Sequence, residues 1–408
     1  MRLDDELSLT ERSNLMLLER QLHRAWGLGA NVILSWSRCE DGVLVLTVPH
    51  YELAEFVTPR SGGNGGATVS TGFIEELISG RRELAPAQLD KVTRLLQREP
   101  QLLRLTRPLS GTRRESELIE RMIRRYSISH IAGRAVALFD IVGFGLLSPF
   151  AQMTQLNSLS YSINAAHSRM LDRRIGVNFA RSSTGDGFYI WNRDDGLEAN
   201  TNLYHFMHLV LADNAIARGQ SRAGSVPLLR TAFHVGSCYE FHLAEGLNPS
   251  LYDFIVGDVT IDLARMIERA LPGQILFGEF DVDIAESATT DTDYVRFDAH
   301  RFMRQAQSTL SHLNGLELAG ERIEAIRCYL TGERREDGQY SIRRLTIADK
   351  HGLSRNVYNA KVNIYRQSAD PILLGLEDRV ISRTPTQSTC EPGADETDDS
   401  APAAPDTH

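Results

Sequence analysis

The sequence predicts an α+β fold in which helices pack on a central β-sheet, preceded by a small α+β unit. Over residues 131–370, apolar runs typical of strands alternate with stretches of helical periodicity, in the order strand, helix, hairpin, helix, strand, helix and strand. Residues 1–110 carry a separate pattern of helices and one hairpin, and residues 111–130 predict a connecting helix. A chain of 408 residues can bury the cores of two or three such domains.

The first 110 residues predict a unit of their own, with no recognisable chemical constellation. Its predicted elements are a helix over 9–27, strands over 32–36 and 43–48 around Asp41-Gly42, and helical pattern over 86–106. The glycine-rich stretch 61–66 is not followed by the Gly-Lys-Ser/Thr of a phosphate loop, so it predicts a flexible loop. Both a regulatory role and a role in assembly are compatible with this unit.

The informative chemistry lies in residues 134–191. A buried strand over Ala135–Phe139 ends in Asp140, and a helix is predicted over 149–171. The chain then returns in a hairpin whose turn contains Asp186 between two glycines. A carboxylate at a strand end and another at a hairpin tip can meet, and Mg²⁺ or Mn²⁺ typically binds one or two carboxylates together with water and substrate phosphates.

The rest of the chain completes the sheet and ends in a tail. The predicted elements are a helix over 197–217, a strand over 228–235, a helix over 260–270, a strand over 274–277, and a closing hairpin made by 343–352 and 358–365. Residues 382–408 are rich in Thr, Pro, Asp, Glu and Ala and predict a disordered acidic tail.

Composition excludes several classes of protein. The net charge of −9 argues against general nucleic-acid binding, which needs a basic face. No apolar run approaches the roughly 18 residues of a membrane span, and the first residues lack a signal peptide's apolar core, so a cytoplasmic protein is expected. The four cysteines are far apart, which predicts ordinary packed or surface thiols rather than a zinc site or disulfides.

Three motifs resemble the catalytic domain of class III nucleotidyl cyclases and follow that family's order. They are Phe139-Asp140-Ile141 with Gly143-Phe144, the later Gly185-Asp186, and Pro272-Gly273-Gln274-Ile275-Leu276. The stretch Ala232–Gly236 is similar to the family's Gly-Ile-His-x-Gly strand. The resemblance runs from about residue 134 to about 366 and implies a ferredoxin-like central sheet.

The resemblance implies a two-metal site. It assigns Asp140, Asp186 and the backbone carbonyl of Ile141 as ligands of two divalent cations, Mn²⁺ or Mg²⁺. Gly143 and Phe144 are implied to border the substrate, where a glycine leaves room for backbone N–H groups to approach a phosphate. Taken alone, Asp140 could equally cap a strand and Asp186 could equally form a turn.

A transition-state arginine is the third part of the implied site. Arg265 follows Gly257 by the spacing of the family's Gly-Asp-x-Val-Asn-x-Ala-x-Arg helix, and its guanidinium would stabilise charge on the α-phosphate. The ribose-orienting asparagine of that motif is replaced by Ile261. The neighbouring Asp262 could take over its role, or could pair with Arg265 at i, i+3.

Base and phosphate recognition depart from the family. Ser182 stands where cyclic-AMP-forming enzymes usually carry lysine, and Phe254 stands in place of the partner aspartate. Tyr161 lies on a helix similar to that of the pyrimidine cyclases of Pycsar antiphage systems, and its ring would either exclude purines or simply pack on the sheet. Lys361 is the candidate for the distal phosphates, with Lys350 and Arg355 as competitors.

The resemblance also implies partners and an activity. It implies a head-to-tail homodimer with composite sites, and the helix over 114–126 would either pair with a second copy or pack on its own domain. The expected substrate is a pyrimidine nucleoside triphosphate, UTP before CTP, whose cyclic product would reach a downstream effector in antiviral defence. The alternatives are a purine cyclase with an unusual pocket and a cyclase-like regulatory module that binds nucleotide without turnover.

Overall fold

The structure is a computed structural model that describes residues 8–54, 71–222, 224–243, 252–285, 294–333, 341–348, 352–381 and 388–389. The glycine-rich stretch 61–66, Lys350 and nearly all of the predicted acidic tail lie outside these residues. The chain forms two compact units. Unit 1 contains Met1–Ile131 and Cys238–Val256, and unit 2 contains Ala132–Ser237 and Gly257–His408.

Helices and strands both occur from the first described residues to the last. The helices are α1 (Leu9–Trp26), α2 (Thr71–Ile78), α3 (Pro86–Leu96), α4 (Arg113–Arg124), α5 (Pro149–Asp172), α6 (Leu197–Gln220), α7 (Asp258–Arg269), α8 (Ala299–Thr309) and α9 (Asp378–Ile381). The strands are β1 (Asn31–Cys39), β2 (Gly42–Pro49), β3 (Gln101–Arg104), β4 (Ile128–Ile141), β5 (Phe179–Ser183), β6 (Gly187–Asn192), β7 (Leu229–Leu243), β8 (Tyr252–Val256), β9 (Ile275–Gly278), β10 (Asp281–Ala285), β11 (Tyr294–Asp298), β12 (Glu317–Leu318), β13 (Glu321–Leu330), β14 (Arg344–Ala348), β15 (Ser354–Arg366), β16 (Ile372–Leu374) and β17 (Ser388–Thr389).

Unit 1 contains a three-stranded sheet in the order β1-β2-β3. The predicted hairpin is confirmed, since β1 and β2 pair antiparallel from Asn31–Pro49 to Cys39–Gly42. The apolar face of α4, including Ile119 and Ile123, belongs to the same buried cluster as α1. The predicted connecting helix therefore packs on its own unit, and burial of its apolar stripe accounts for its periodicity.

The helical pattern predicted over 86–106 is only partly right. The helix α3 ends at Leu96, Gln97 takes a left-handed conformation with φ 53°, and residues 101–104 pair with β2 as a strand. Pro100 explains the break, because a proline disfavours helical geometry in the residue before it. The leucines beyond it, which continue the helical spacing by chance, lie on a strand.

Unit 2 is built on a large sheet with helices packed on it, which confirms the predicted α+β fold. The strand order is β12-β13-β15-β9-β7-β4-β6-β5. The strands β7 and β9 pair in parallel, whereas β4–β6, β5–β6 and β9–β15 are antiparallel. The predicted closing hairpin is present as β14 and β15. This order places β4 near the middle of the sheet, with β7 on one side and β6 on the other.

The helix α6 is buried almost all round, so it has no pronounced polar face. Its residues from Ala199 to Asn214 form the inside of unit 2. None of the helices within the described ranges combines the length and the apolar character that a membrane crossing requires. The burial of α6 affects the pKa values of two histidines that it carries, His205 and His208.

We expect the stability of the protein to fall in mild acid because of His205. Its Nε2 lies 3.0 Å from the carbonyl oxygen of Ala306, and burial lowers the pKa of His205 to about 4. The unfolded histidine titrates near pH 6.5, so between these values only the unfolded state takes up the proton. Above about pH 6.5 the contribution of His205 to the free energy of unfolding is therefore fully present. Between pH 7 and pH 5, protonation of this residue in the unfolded state alone should lower the free energy of unfolding by about 2 kcal/mol.

The measurement is chemical unfolding at pH 7 and pH 5 for the natural protein and for His205→Gln, which keeps an N–H donor without titrating. The variant should lose less stability on acidification, by about 2 kcal/mol. An identical pH dependence in both proteins would contradict a neutral buried imidazole. Burial also lowers the pKa of His208, so part of the acid effect should remain in the variant.

Candidate active site

The two predicted metal aspartates lie at neighbouring positions of one sheet. Asp140 is at the end of β4, and its register partner on β6 is Gly187, the residue after Asp186. A Cβ at Gly187 would lie 1.9 Å from the carbonyl oxygen of Phe139, so only glycine allows this close approach. The N–H of Ile141 donates to the carbonyl oxygen of Asp186 at 3.0 Å. The fold thus brings both aspartates to one end of the sheet.

The carboxylate of Asp140 is buried and in contact with an arginine. Asp140 is 5% exposed, its Oδ2 accepts a hydrogen bond from Nε of Arg230 at 2.8 Å, and Nη2 of the same arginine lies 2.6 Å from that oxygen in an ion pair. Burial raises the pKa of Asp140, Arg230 opposes that rise, and the nearby Asp186 adds to it. The Asp186 Oδ1 accepts from the hydroxyl of Thr184 at 3.2 Å.

The donor set fits a hard divalent cation that keeps an open coordination sphere. Two carboxylates and a backbone carbonyl are hard oxygen donors, which suit Mg²⁺ or Mn²⁺ and leave positions for water and phosphates. Within the described ranges, no group of three or more His, Cys, Asp or Glu side chains is placed to hold a metal ion. A closed structural site of the zinc type therefore does not fit these residues.

A tight turn follows the first aspartate. Gly143 has φ +70°, a conformation that residues with a side chain rarely adopt, and it precedes a single 3₁₀ turn over Phe144–Leu146. The side-chain amide of Gln152 donates to the carbonyl oxygen of Phe144 at 3.1 Å, which fixes the turn against α5. Gly143 itself is exposed, so its backbone is accessible to a ligand.

The predicted base-recognition residues lie on α5 and on the adjacent hairpin. Tyr161 projects from α5 with 67% of its surface exposed, so its ring is not packed on the sheet. Ser182 lies on β5 opposite Tyr189. The guanidinium of Arg181 donates to the hydroxyl of Ser160 at 2.8 Å and so links the hairpin to the helix just before Tyr161.

The predicted catalytic arginine lies on α7, whose first turn also contacts β6, since the hydroxyl of Tyr189 donates to the carbonyl oxygen of Thr260 at 3.1 Å. Arg265 is on α7, which packs against β9, and β7 separates β9 from β4. Ile261, in the position of the missing asparagine, is 47% exposed. Asp262 forms an ion pair with Arg355 and lies 3.3 Å from Nε2 of His234, so the recorded partners of Asp262 are on β15 and β7.

The candidate phosphate lysine lies further along the sheet. Lys361 is on β15, three strands from β4, and is only 6% exposed. Its ammonium group forms an ion pair with Glu377, and that hydrogen bond lowers the pKa of Glu377. The competitor Arg355 is held by Asp262, and the competitor Lys350 lies outside the described residues.

Arg230 is the site residue that sequence reasoning missed. It lies on β7 two residues before Ala232, where the similarity to the family's Gly-Ile-His-x-Gly strand begins. An arginine near the start of a central strand is costly to bury without an acidic partner. That signal was present in the sequence, but only the sheet order shows that the partner is Asp140.

Comparison with known proteins finds similar solved structures. No protein-family model and no curated protein matches the chain. The adenylyl cyclase CyaB from P. aeruginosa is similar with 14% identity and a TM-score of 0.35, over 60% of this chain and 100% of that chain. The guanylate cyclase domain of RhGC from Catenaria anguillulae, solved with GTP, has 13% identity and a TM-score of 0.32, over 59% and 100%. A dimeric guanylyl cyclase domain of the RhoGC fusion protein from the aquatic fungus Blastocladiella emersonii has 12% identity and a TM-score of 0.33, over 59% and 99%.

Proposed function

We propose that the protein is a nucleotidyl cyclase, which converts a nucleoside triphosphate to its 3′,5′-cyclic monophosphate and pyrophosphate. The observation that carries this proposal is the juxtaposition of Asp140 and Asp186 at adjacent strands, with the Ile141 backbone between them. These residues follow the order and local sequence of the class III cyclase motif. A buried carboxylate beside a second, half-buried one is costly for a fold unless positive charge lies nearby, and a divalent cation would supply that charge to both.

The reaction needs charge neutralisation and alignment. The ribose 3′-oxygen attacks the α-phosphorus, the bond from that phosphorus to the β-bridging oxygen breaks, and the 3′-hydroxyl proton passes to solvent. Two divalent ions on Asp140, Asp186 and the Ile141 carbonyl would supply Lewis-acid activation of the hydroxyl and neutralise the triphosphate. Arg265 would stabilise the charge that gathers on the α-phosphate oxygens. The turn at Gly143 and Phe144 would border the phosphates.

The sheet order favours sites shared between two copies. Lys361 is on β15, three strands from β4, and the family resemblance implies that Arg265 acts at the metal site of another copy. A second, head-to-tail copy is therefore proposed to supply both residues. An apolar surface adjoins the candidate metal site, since Leu146, Phe150 and Met153 are 93%, 73% and 52% exposed. Covering this surface would give a homodimer a hydrophobic contact beside each site.

A pyrimidine triphosphate is the proposed substrate, UTP before CTP. The lysine and aspartate of a purine pocket are replaced by Ser182 and Phe254, while Tyr161 stands exposed on the helix after the metal strand. A ring at that position would favour the smaller bases. The cyclic pyrimidine product would act on a separate effector protein in antiviral defence.

A non-catalytic, nucleotide-binding module is the second candidate. Two observations favour it: Ile261 replaces the ribose-orienting asparagine, and Arg230 occupies one oxygen of Asp140. The deciding experiment is incubation with each of the four ribonucleoside triphosphates and Mn²⁺, followed by chromatography. Cyclic UMP or CMP is expected. Cyclic AMP or GMP would overturn the pyrimidine assignment, and binding without any product would establish the module.

Tyr161→Ala should relax base selectivity. Removing a ring from a base pocket enlarges it, and such steric discrimination is worth roughly 10–200-fold in catalytic efficiency. We expect the variant to accept purine triphosphates at least about tenfold better relative to UTP. Selectivity is measured as the ratio of kcat/KM values, with Tyr294→Ala, another half-exposed tyrosine of unit 2, as the control. An unchanged ratio in Tyr161→Ala would remove Tyr161 from base recognition.

A further inference from the structure

We propose that Arg230 is the resident counter-ion of Asp140, and that a divalent cation must displace its guanidinium to bind. This inference rests on the proposed function, because it concerns the same metal site. Both recorded nitrogens of Arg230 contact one oxygen, Oδ2, at 2.8 and 2.6 Å. The arrangement differs from a fork-to-fork pair, which would use both carboxylate oxygens.

Charge balance explains why an arginine lies there. The Asp140 side chain is 8% exposed and is close enough to Asp186 for the two carboxylates to repel each other. Within the described part of the chain, the recorded cation at Asp140 is Arg230, whereas the recorded side-chain partner of Asp186 is the neutral Thr184. The guanidinium therefore offsets the repulsion in the protein without metal.

The same position makes Arg230 a competitor of the metal. Two cations held by two carboxylates draw on several of the four carboxylate oxygens, and Arg230 occupies Oδ2 of Asp140. A guanidinium and a divalent ion on the same oxygen also repel each other. The Arg230 side chain is 27% exposed, so it can leave Asp140 without crossing the core.

Mn²⁺ affinity without nucleotide tests the proposal, read by the electron paramagnetic resonance signal of free Mn²⁺. Arg230→Gln should bind Mn²⁺ roughly tenfold more tightly than the natural protein, because the competing charge is gone. Arg230→Lys keeps the charge but offers one nitrogen, so its affinity should fall between the two. Arg218→Gln, an exposed arginine on α6, should leave affinity unchanged. Unchanged or weaker binding in Arg230→Gln would overturn the proposal.

Two further measurements keep the outcome decisive. In the natural protein, the Arg230 Nε–H resonance should be shifted and slow to exchange without metal, and should revert to a solvent-like signal as Mg²⁺ is added. A resonance that does not respond to saturating Mg²⁺ would overturn the proposal even if the variants fail to fold. Asp140→Asn and Asp186→Asn should lose Mn²⁺ binding. If both keep it, the proposed metal site itself fails; if they lose it while Arg230→Gln is unchanged, only the counter-ion role fails.

Discussion

Asp140→Asn and Asp186→Asn are each expected to lower turnover by roughly a thousandfold or more. The amide keeps the size of the side chain but removes the negative charge that would bind a divalent cation. Because asparagine has nearly the same shape as aspartate and both residues lie at the end of the sheet, the fold should persist. The measurement is cyclic-nucleotide formation at saturating Mn²⁺, together with thermal unfolding of each variant.

The matched control is Asp172→Asn, which changes the same chemical group at an exposed position at the end of α5. It should retain full activity. A folded Asp140→Asn or Asp186→Asn protein that still turns over at the natural rate would exclude that residue as a metal ligand. Asp140→Asn also removes the partner of Arg230, so its unfolding temperature reports whether that pair contributes to stability.

Arg265→Ala should reduce kcat by about 10²–10³-fold, because it removes a positive charge aimed at developing negative charge. KM should change little if the contact forms only in the transition state. Arg304→Ala, an exposed arginine of α8, is the control and should be fully active. A rise in KM with kcat unchanged would show that Arg265 binds the substrate without stabilising the transition state.

Mixing two inactive variants extends this prediction to the dimer. If Asp140 of one copy works with Arg265 of the other, a heterodimer of Asp140→Asn and Arg265→Ala contains one intact site. With free exchange of equal amounts, activity should recover to about a quarter of the natural level. No recovery, despite demonstrated subunit exchange, would place both groups of each site in one copy.

Local signals were enough to predict most elements of the sheet and its helices. The apolar run before Asp140, the turn at Asp186 and the Asp41-Gly42 hairpin all appear where the sequence places them. Each depends on neighbouring residues, through alternation, helical spacing or turn chemistry. The helices α2 and α8 and the strands from β10 to β13 were not predicted. The strand at 101–104, predicted as helix, follows a proline that interrupts a stretch of leucines. There the tertiary pairing with β2 decided the conformation.

The partners of charged side chains could not be predicted in the same way. The contact between Arg230 and Asp140 joins residues 90 positions apart, and it depends on the strand order of unit 2. The pairing of Lys361 with Glu377 likewise depends on the path of the chain after β15. Sequence spacing names the candidates for a site, but the sheet decides which of them meet. The roles of the named site residues accordingly stay predictions.

The most direct measurement is the position of Mn²⁺ in crystals grown with a triphosphate analogue that cannot cyclise. Anomalous scattering locates Mn²⁺ independently of any assumption about the site. The account predicts anomalous peaks bonded to carboxylate oxygens of both Asp140 and Asp186, with Arg230 moved away from Oδ2 of Asp140. Manganese bound elsewhere, or a bound triphosphate without metal at these aspartates, would contradict it.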